Sequence, residues 1–334
     1  MIQDDRDSDG PAAAAPAIRR GWTAADIPDL TGRTAVITGA SSGTGYEIAL
    51  VLAARGAHVV LASRDHDRTS AAAARIALVV AGASVEPQVL DLASLASVRR
   101  FAGLLAGRPG GLDLLVNNAG IAGGPRRLTA DGFEAHLGTN HLGHFALTGL
   151  LLPALLARPG ARVVTISTGL AARARIDFDD PHSERRYRMT TAYGQSKLAG
   201  LLFAVELDRR ARAAGAGLAS LATHPGVART GLLTGKKADW GRSRRAAETM
   251  VRLVQLALAQ PASRAALPAL YQATDPAARG GSYVGTRGHF RGEPAVTPFP
   301  PAALRPDTAA RLWQLSEQLT GVEYGALSQP AARA

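Results

Sequence analysis

One stretch constrains the fold of this chain more than any other. A short β-branched run, Thr34–Thr38, leads directly into Gly39-Ala40-Ser41-Ser42-Gly43-Thr44-Gly45. An apolar helix is predicted over residues 46–55. Strand, glycine-rich turn and helix in this order aim backbone N–H groups and a helix N-terminus at a phosphate. The spacing is G-x-x-x-G-x-G rather than G-x-G-x-x-G, so the stretch predicts a nucleotide-binding turn of a shorter pattern.

The rest of the chain alternates strands with helices. Further strands are predicted over residues 58–62, 84–90, 112–116, 162–167, 218–223 and 282–285. Helices are predicted over residues 66–81, 95–106, 131–156 in two pieces, 191–213 and 312–319, with a loop and further helices over 231–280. This alternation predicts an α/β chain with a single-domain Rossmann fold, a doubly wound parallel sheet and helices on both faces.

The two ends of the chain differ in composition from its middle. Residues 1–21 are first acidic and then rich in alanine and proline, which predicts a disordered leader. Residues 22–324 contain no internal repeat and no second hydrophobic core. They are predicted to form one domain, with substrate-loop and helix decorations towards its C-terminal end. Residues 325–334 are predicted to be a frayed tail.

Composition excludes several classes of function. The net charge is +11, but the basic residues form only short, scattered clusters, so nucleic-acid binding is not expected. There is no cysteine, which excludes disulfides and thiolate sites. No secretory signal is visible. The longest apolar run, residues 145–157, contains Pro153 and is too short to span a bilayer. His141 and His144 lack a third ligand at a suitable spacing, so they predict helix packing rather than a metal site. A cytoplasmic protein without membrane association is expected.

The end of the second predicted strand carries information on coenzyme choice. A carboxylate at this point binds the ribose 2′-hydroxyl in dinucleotide folds, whereas an arginine suits a 2′-phosphate. Ser63 stands where the carboxylate would be, and Arg64 follows it. The sequence therefore favours NADP(H). Because Asp65 lies one position later, the use of NAD(H) stays open.

The segment Thr191-Ala192-Tyr193-Gly194-Gln195-Ser196-Lys197 is the candidate for acid–base chemistry. On a helix, Tyr193 and Lys197 lie one turn apart on the same face. A phenol titrates near ~10 and is a poor acid–base catalyst at neutral pH. A neighbouring cation favours the phenolate, so Lys197 is expected to lower the pKa of Tyr193.

Together these motifs resemble the short-chain dehydrogenase/reductase family over residues 31–285. The matching pieces are Thr38-Gly39-x-x-x-Gly43-x-Gly45, Asp91, Asn117-Asn118-Ala119-Gly120, Asn140, Ser167-Thr168, Tyr193-x-x-x-Lys197 and Pro225-Gly226. Residues 131–134, 140–145 and 192–199 look more like the branch that contains the retinol dehydrogenases and the WW-domain oxidoreductases.

The resemblance implies a role for each matching position. The implied catalytic residues are Asn140, Thr168, Tyr193 and Lys197. The implied coenzyme-binding residues are Gly39, Ser41, Ser42, Gly43, Thr44, Gly45, Ser63, Arg64, Asp91, Leu92, Asn118, Ala119, Gly120, Tyr193, Lys197, Pro225, Gly226, Val227 and Thr230. Tyr193 would be the acid–base residue, Lys197 would bind the nicotinamide ribose, and Asn140 would hold a water that links Lys197 to solvent. The helices that carry Asn140 and Tyr193 often form a homodimer face in this family.

Two positions depart from the family pattern. The catalytic serine usually occupies the second position of a Ser-Ser pair, which here falls on Thr168, with Ser167 as the alternative. Only one of the two should face the substrate, because side chains alternate along a strand. Thr44 replaces the aliphatic residue usual in the turn.

These features predict an NADP(H)-dependent oxidoreductase that interconverts a ketone or aldehyde and an alcohol by hydride transfer. Two alternatives stay open. One is an epimerase, dehydratase or cyclase with a recycled coenzyme, and the other is a non-catalytic NADP(H)-binding regulator. The expected substrate is a small-molecule carbonyl compound or alcohol that is lipophilic and of medium or large size. Its pocket walls are predicted over residues 123–128, 169–189 and 231–245.

Overall fold

The computed structural model describes residues 17–108, 110–226, 259–288 and 290–327 of the chain. The strands are β1 (Thr34–Thr38), β2 (His58–Ser63), β3 (Val85–Val89), β4 (Leu114–Asn117), β5 (Ala161–Ile166), β6 (Leu218–Thr223), β7 (Tyr283–Thr286) and β8 (Pro294–Val296). They form one sheet with the order β3-β2-β1-β4-β5-β6-β7-β8. Neighbours from β3 to β7 are parallel, and β8 pairs antiparallel with β7.

Helices cover both faces of this sheet. They are α1 (Gly43–Ala54), α2 (His66–Val79), α3 (Leu95–Ala106), α4 (Gly143–Leu150), α5 (Leu152–Leu156), α6 (Met189–Ala213), α7 (Ala262–Thr274) and α8 (Pro306–Thr320). Local sequence sets several of their ends. The Ser94 side chain caps α3 by accepting from the Ser97 N–H. Gly321, with a φ of +62°, ends α8 in the left-handed conformation that favours glycine.

Two hydrophobic cores lie on opposite faces of the sheet. In β1, the side chains of Ala35 and Ile37 enter the core that contains α1 and α7, while Val36 enters the core that contains α3, α4 and α6. All three are at most 2% exposed. A strand that is buried on both faces has a continuous run of apolar residues. For this reason β1 and β2 could be predicted from the sequence. The predicted doubly wound Rossmann fold is therefore confirmed.

An aromatic cluster joins α6 to the C-terminal part of the described chain. It consists of Phe145, Phe203, Trp313 and Tyr324. The rings of Trp313 and Tyr324 lie 4.5 Å apart between centroids, and the Phe145 and Trp313 rings 5.2 Å apart. The Tyr324 hydroxyl donates to the Phe145 carbonyl oxygen at 2.7 Å. The face of α6 that points away from the sheet is thus covered by α8 and the segment after it.

Some predicted boundaries are wrong. β8 was not predicted, because a three-residue strand that begins with a proline is too short to show an alternation of apolar and polar residues. α8 begins at Pro306, well before the predicted residue 312. The predicted helix 131–156 is broken into more than two pieces, with a helical turn over Ala135–Leu137 and a π-helical turn over Gly138–Leu142 before α4 and α5.

The ordered body also extends past both predicted domain ends. Ile18, inside the predicted leader, is buried in the core on the α1 side. The Gly21 N–H donates to Glu293 Oε2 at 3.0 Å. Leu327, inside the predicted tail, is buried in the other core. The described part of each predicted terminal segment is therefore packed.

Candidate active site

The candidate site lies where the direction of strand progression reverses. From β1 the sheet is extended by β2 and β3 on one side and by β4 and β5 on the other. In doubly wound sheets ligands bind beyond the carboxyl ends of the strands at this switch point. The predicted site residues that directly follow β1, β4 and β5 are Gly39, Asn118 and Ser167. The topology therefore brings the separate sequence motifs to one edge.

The glycine-rich turn is in close contact with the loop that follows β4. Gly39 and Gly43 have φ values of +69° and +60°, which favour glycine. A Cβ atom on Gly39 would lie 2.9 Å from the Ala119 Cα atom, and one on Gly45 would lie 2.4 Å from Asn118 Nδ2. The Asn118 amide donates to the Thr38 carbonyl oxygen at 2.7 Å. Side chains at these glycines would force the two loops apart.

The start of α1 is suited to an anion. Ser42 is the N-cap residue, but its side chain makes no capping hydrogen bond, and no acidic residue lies in the first turn. The first backbone N–H groups of a helix have no partner within the helix, and the helix dipole adds positive potential there. Together with the glycines of the turn, this end of α1 fits the pyrophosphate of a dinucleotide.

The predicted adenosine end is built from the residues after β2. Ser63 is half-buried, and its hydroxyl donates to Ser41 Oγ at 3.4 Å. Arg64 is exposed, and no carboxylate among the described residues forms an ion pair with it. The Asp65 carboxylate caps α2 by accepting from the Arg68 N–H at 3.0 Å. Asp65 was the reason for which the sequence did not exclude NAD(H). Its carboxylate is bonded to the first turn of α2 instead.

The other predicted coenzyme contacts belong to two loops, one after β3 and one after β6. Asp91 Oδ1 accepts from the Ala93 N–H at 3.0 Å, so this carboxylate is held within its own turn. Leu92 is buried. The Pro225 carbonyl oxygen accepts from the Gln260 side chain at 2.9 Å, and Gly226 has a φ of +66°. Val227 and Thr230, like the predicted wall 231–245, lie outside the described residues.

Tyr193 and Lys197 both lie in α6 and are both buried, at 8% and 6% exposure. Lys197 Nζ donates to the Ile166 carbonyl oxygen at 3.2 Å, which places the ammonium group at the end of β5. A Cβ atom on Gly120 would lie 3.3 Å from Lys197 Nζ and 3.2 Å from Asn140 Oδ1. The predicted Gly120, Asn140 and Lys197 thus meet at one point.

The pKa values of this pair correct one expectation. Burial raises the pKa of Tyr193 to about 12 and lowers the pKa of Lys197 to about 8. The predicted lowering of the Tyr193 pKa by the lysine is wrong for this geometry, because loss of water around the phenol dominates. At neutral pH the phenol therefore carries its proton, and the lysine is charged.

Both polar atoms of the Asn140 side chain are bonded to protein groups. Its Oδ1 atom accepts from the Ile121 N–H at 2.8 Å, and its Nδ2 atom donates to the Ile121 carbonyl oxygen at 3.0 Å. The same Nδ2 atom donates to Ser196 Oγ at 2.9 Å. Ser196 Oγ in turn donates to the Tyr193 carbonyl oxygen at 2.8 Å. Asn140 therefore connects the loop after β4 to the backbone of α6, while one lone pair of Oδ1 stays available for a further donor.

The two candidate hydroxyl groups after β5 have different surroundings. Ser167 is buried, and its hydroxyl donates to the Lys197 carbonyl oxygen at 2.9 Å. Thr168 is half-buried, and its hydroxyl bonds to none of the described residues. The Tyr193 hydroxyl likewise has no partner within the described ranges. Of the two hydroxyls after β5, Thr168 is the one left available for a ligand.

Sequence reasoning missed a buried acid–base pair beside Tyr193. Glu134 and His136 are each 1% exposed, and Glu134 Oε1 accepts from His136 Nδ1 at 2.9 Å. The His136 and Tyr193 rings meet edge to face, 5.9 Å apart. His136 Nε2 is buried with no partner among the described residues. The only signal in the sequence was Glu134 at the start of a helix, where an acidic cap is common.

His141 and His144 are both buried and bonded to protein groups. His141 Nε2 pairs with Ser316 Oγ at 2.8 Å, and His144 Nε2 with Thr38 Oγ1 at 2.9 Å. The two rings thus have separate partners on separate elements. Both histidines are therefore bonded within the protein interior.

Comparison with known proteins identifies the family. The family model described as short chain dehydrogenase matches residues 33–240, which include the glycine-rich turn, Asn140, Tyr193 and Lys197. The chain belongs to the short-chain dehydrogenase family. Enzymes of this family are NAD(P)-dependent oxidoreductases that act on small molecules. The chain is therefore an NAD(P)-dependent oxidoreductase.

Relatives of this short-chain dehydrogenase confirm the predicted retinol-dehydrogenase-like branch. Human retinol dehydrogenase 13 is 39% identical over 308 residues, which cover 91% of this chain and 89% of the relative. Human retinol dehydrogenase 12 is 43% identical over 222 residues, or 66% of this chain and 70% of the relative.

Solved structures agree with the fold. A crystal structure of an uncharacterised protein from Mycobacterium paratuberculosis has 44% identity and a TM-score of 0.75, and covers 91% of this chain and 99% of that one. A structure described as an NAD(P)-dependent gluconate 5-dehydrogenase from Beutenbergia cavernae, with NADP bound at low occupancy, has 32% identity and a TM-score of 0.60. It covers 77% of this chain and 96% of that one. Within the described ranges of this short-chain dehydrogenase, no helix has the length and apolar character that crossing a membrane requires.

Proposed function

We propose that this short-chain dehydrogenase interconverts a lipophilic alcohol and its ketone or aldehyde with NADP(H), and that Tyr193 is the acid–base residue. One observation carries the proposal. A buried phenol whose hydroxyl has no partner among the described residues lies one helical turn before a buried, charged lysine, at the switch point of the sheet. The hydroxyl oxygen itself is not among the fully buried atoms that lack a partner, so it stays accessible and is available for a substrate oxygen.

The proton chemistry follows from the surroundings of Tyr193. Because burial raises its pKa to about 12, the phenol is protonated at neutral pH and can donate to a carbonyl oxygen during reduction. The Thr168 hydroxyl, which bonds to none of the described residues, can donate to the same oxygen and stabilise the charge that develops there. Lys197 adds a positive charge at the end of β5, which favours the phenolate once the proton has left.

The coenzyme site is supported by the fit of the glycine-rich turn and the uncapped start of α1. The residues that would hold the dinucleotide are Gly39, Ser41, Gly43 and Gly45 at the pyrophosphate, with Ser63 and Arg64 at the adenosine. When bound, the nicotinamide supplies or accepts the hydride. The choice of NADP(H) is supported by the exposed Arg64, which has no described carboxylate partner, and by the engagement of Asp65 in capping α2.

A lipophilic substrate is supported by two observations. Leu128 and Leu170, in two of the predicted pocket walls, are 53% and 59% exposed. Such exposed aliphatic side chains beside a site favour an apolar ligand. The relatives named retinol dehydrogenases point to the same substrate class. A cytoplasmic location and a homodimer stay predictions, which cell fractionation and sedimentation of the purified protein would test.

The test is a pair of variants measured with two coenzymes. The purified protein is titrated with NADPH and NADH, and NADPH oxidation is followed with retinaldehyde, long-chain aldehydes and short polar ketones. Tyr193→Phe should lower kcat at least about 10²-fold and leave the NADPH Kd within about twofold. Arg64→Ala should weaken NADPH about tenfold and leave NADH unchanged, because only NADPH carries the 2′-phosphate that the guanidinium would bind.

Three outcomes would contradict the proposal. Near-normal turnover in Tyr193→Phe would remove the acid–base role of this phenol. Equal weakening of both coenzymes in Arg64→Ala would remove the basis for NADP(H). Tight NADPH binding without oxidation by any carbonyl compound would instead indicate a recycled coenzyme or a non-catalytic binder.

A further inference from the structure

His144 connects two parts of the candidate site that belong to different elements. The residue lies at the start of α4 and is 3% exposed. Its Nδ1 atom is 3.1 Å from the carbonyl oxygen of Asn140, and its Nε2 atom is 2.9 Å from Thr38 Oγ1. Thr38 ends β1, directly before the glycine-rich turn. One imidazole ring thus spans the distance from Asn140 to the predicted coenzyme turn.

These partners determine the tautomer of the ring. A carbonyl oxygen can only accept, so Nδ1 must carry the proton that is donated to Asn140. Nε2 then has a lone pair. The Thr38 hydroxyl donates to it at 2.9 Å rather than to its more distant acceptor, the Val116 carbonyl oxygen at 3.3 Å. Burial, with the positive charge of Lys197 as a smaller cause, lowers the pKa of His144 to about 3. The ring is therefore neutral at neutral pH, and only Nδ1 donates.

On the coenzyme side, the bond continues through Thr38 to the loop after β4. Once the Thr38 hydroxyl donates to His144, its oxygen accepts from the backbone N–H groups of Asn118 and Ala119, both at 2.9 Å. These residues pack directly against Gly39 and Gly45. The orientation of the Thr38 hydroxyl therefore helps to position the loop that lines the predicted coenzyme cleft.

On the catalytic side, the bond continues through Asn140 to α6. The Asn140 peptide lies in the π-helical turn Gly138–Leu142, where the regular hydrogen bonds of an α-helix are displaced. Its side chain donates to Ser196 Oγ, and that hydroxyl donates to the Tyr193 carbonyl oxygen. A change in the Asn140 backbone would thus be transmitted to the turn of α6 that carries the phenol.

We propose that His144 is a positioning residue that couples the coenzyme-binding loops to the catalytic helix through its two ring nitrogens. The inference rests on the proposed function, since it presumes a dinucleotide at the glycine-rich turn and catalysis at Tyr193. The sequence carried no sign of it. From the sequence, His144 could be interpreted only as a buried helix residue, because its partner Thr38 lies more than a hundred positions away.

Two substitutions separate the two halves of this role. The amide of asparagine reaches the position of a histidine Nδ1 atom, and the amide of glutamine reaches that of Nε2. His144→Asn should keep the bond to Asn140 and lose the one to Thr38. It should raise the NADPH Kd about tenfold and keep kcat within about threefold. His144→Gln should keep the bond to Thr38, leave the Kd within about twofold, and lower kcat about tenfold.

Two further variants complete the set. His144→Phe removes both bonds and should show both losses together. Thr38→Val removes the hydroxyl, so adding His144→Phe to Thr38→Val should raise the NADPH Kd less than His144→Phe does alone. His141 is the matched control. It is a fully buried histidine three positions earlier, burial also lowers its pKa to about 3, and its partner is Ser316 rather than a site residue.

The measurements are NADPH titration by nicotinamide fluorescence, kcat with the aldehyde that the wild type reduces best, and Tm by circular dichroism. His141→Phe should lower Tm and leave the NADPH Kd within about twofold. If all His144 variants lose binding, turnover and Tm in parallel, as for general loss of packing, the proposal is overturned. It is equally overturned if none of them changes the Kd or kcat. If the wild type binds no NADPH, the proposed function itself has failed, which is a different result.

Discussion

Lys197→Met tests how much the burial of a charge at the candidate site lowers the free energy of unfolding. Burial lowers the pKa of Lys197 from 10.5 to about 8, and the only hydrogen-bond acceptor for its ammonium group among the described residues is the Ile166 carbonyl oxygen. A pKa change of this size corresponds to about 3 kcal/mol against the charged folded state. Methionine removes the charge at similar length but leaves that carbonyl without its donor, which costs about 1 kcal/mol.

We therefore expect the variant to be inactive and yet more stable. At pH 7 the free energy of unfolding should rise by about 1 to 2 kcal/mol, and Tm by about 2 °C for a chain of this length. Such a gain is expected wherever a residue is kept for chemistry at the expense of stability. The assay is unfolding in guanidinium chloride, followed by tryptophan fluorescence and circular dichroism.

The sign of the pH dependence is fixed by the direction of the pKa change. Below about pH 8, Lys197 is charged in the folded and unfolded chains, and the wild type carries the full penalty. Between about pH 8 and 10.5 the folded chain releases the proton while the unfolded chain keeps it, so the wild type gains stability relative to the variant. The advantage of Lys197→Met should narrow at pH 9.5. Tyr193→Phe is the control, because the pKa of Tyr193 is about 12.

Two results would refute this reasoning. One is a Lys197→Met protein that is less stable than the wild type at pH 7 by more than the lost hydrogen bond explains. The other is a stability difference that is the same at pH 7 and pH 9.5, since a penalty that does not titrate cannot come from the ammonium charge.

Three further predictions and one control substitution, Gly103→Ala, follow from the contacts described. Gly45→Ala should raise the NADPH Kd more than tenfold, because its Cβ atom would lie 2.4 Å from an amide nitrogen of the neighbouring loop. Gly103→Ala, with nothing within 4 Å, should instead stabilise α3 by about 0.5 to 1 kcal/mol in a thermal melt. The Arg108 side chain lowers the pKa of Glu86 to about 2, so Glu86→Gln should lower the free energy of unfolding by about 2 kcal/mol at pH 7. That loss should fade as the pH falls from 4.5 towards 2. Thr168→Val should lower kcat about 10²-fold without weakening NADPH.

Each of these has a result that would contradict it. Unchanged NADPH binding in Gly45→Ala would mean that the two loops can move apart freely. A Glu86→Gln difference that persists at pH 2 would mean that the side chain acts through packing rather than charge. Normal turnover in Thr168→Val, with loss of turnover in Ser167→Ala, would move the catalytic hydroxyl to Ser167.

Most of the fold could be predicted from the sequence, because each strand, turn and helix is indicated by residues within its own segment. Strands such as Thr34–Thr38 are buried on both faces and show as apolar runs, and glycines mark the turn that follows. Right-handed crossovers then predict that the carboxyl ends of these strands lie along one edge of the sheet. Short elements such as Pro294–Val296 escape this reading, because they are formed by pairing with a distant strand rather than by their own pattern.

The site could be predicted only in part, because the hydrogen-bond partners of its side chains lie far away in the sequence. The sequence left Ser167 and Thr168 as alternatives, and only the bond from Ser167 to the Lys197 carbonyl oxygen distinguishes them. The engagement of Asp65 in capping α2 could have been foreseen from its place before a helix. The high pKa of Tyr193 could not, since it depends on how completely the surrounding elements exclude water.

The aromatic cluster on the outer face of α6 has a consequence for how the protein is made. Phe145 and Phe203 are synthesised long before Trp313 and Tyr324, which cover them. During translation the outer face of the Tyr193 helix therefore stays uncovered until α8 and the segment after it have left the ribosome. A nascent chain in that state exposes aromatic surface that chaperones recognise. Ribosome stalling upstream of residue 306 should yield a chaperone-bound chain that lacks a finished active site.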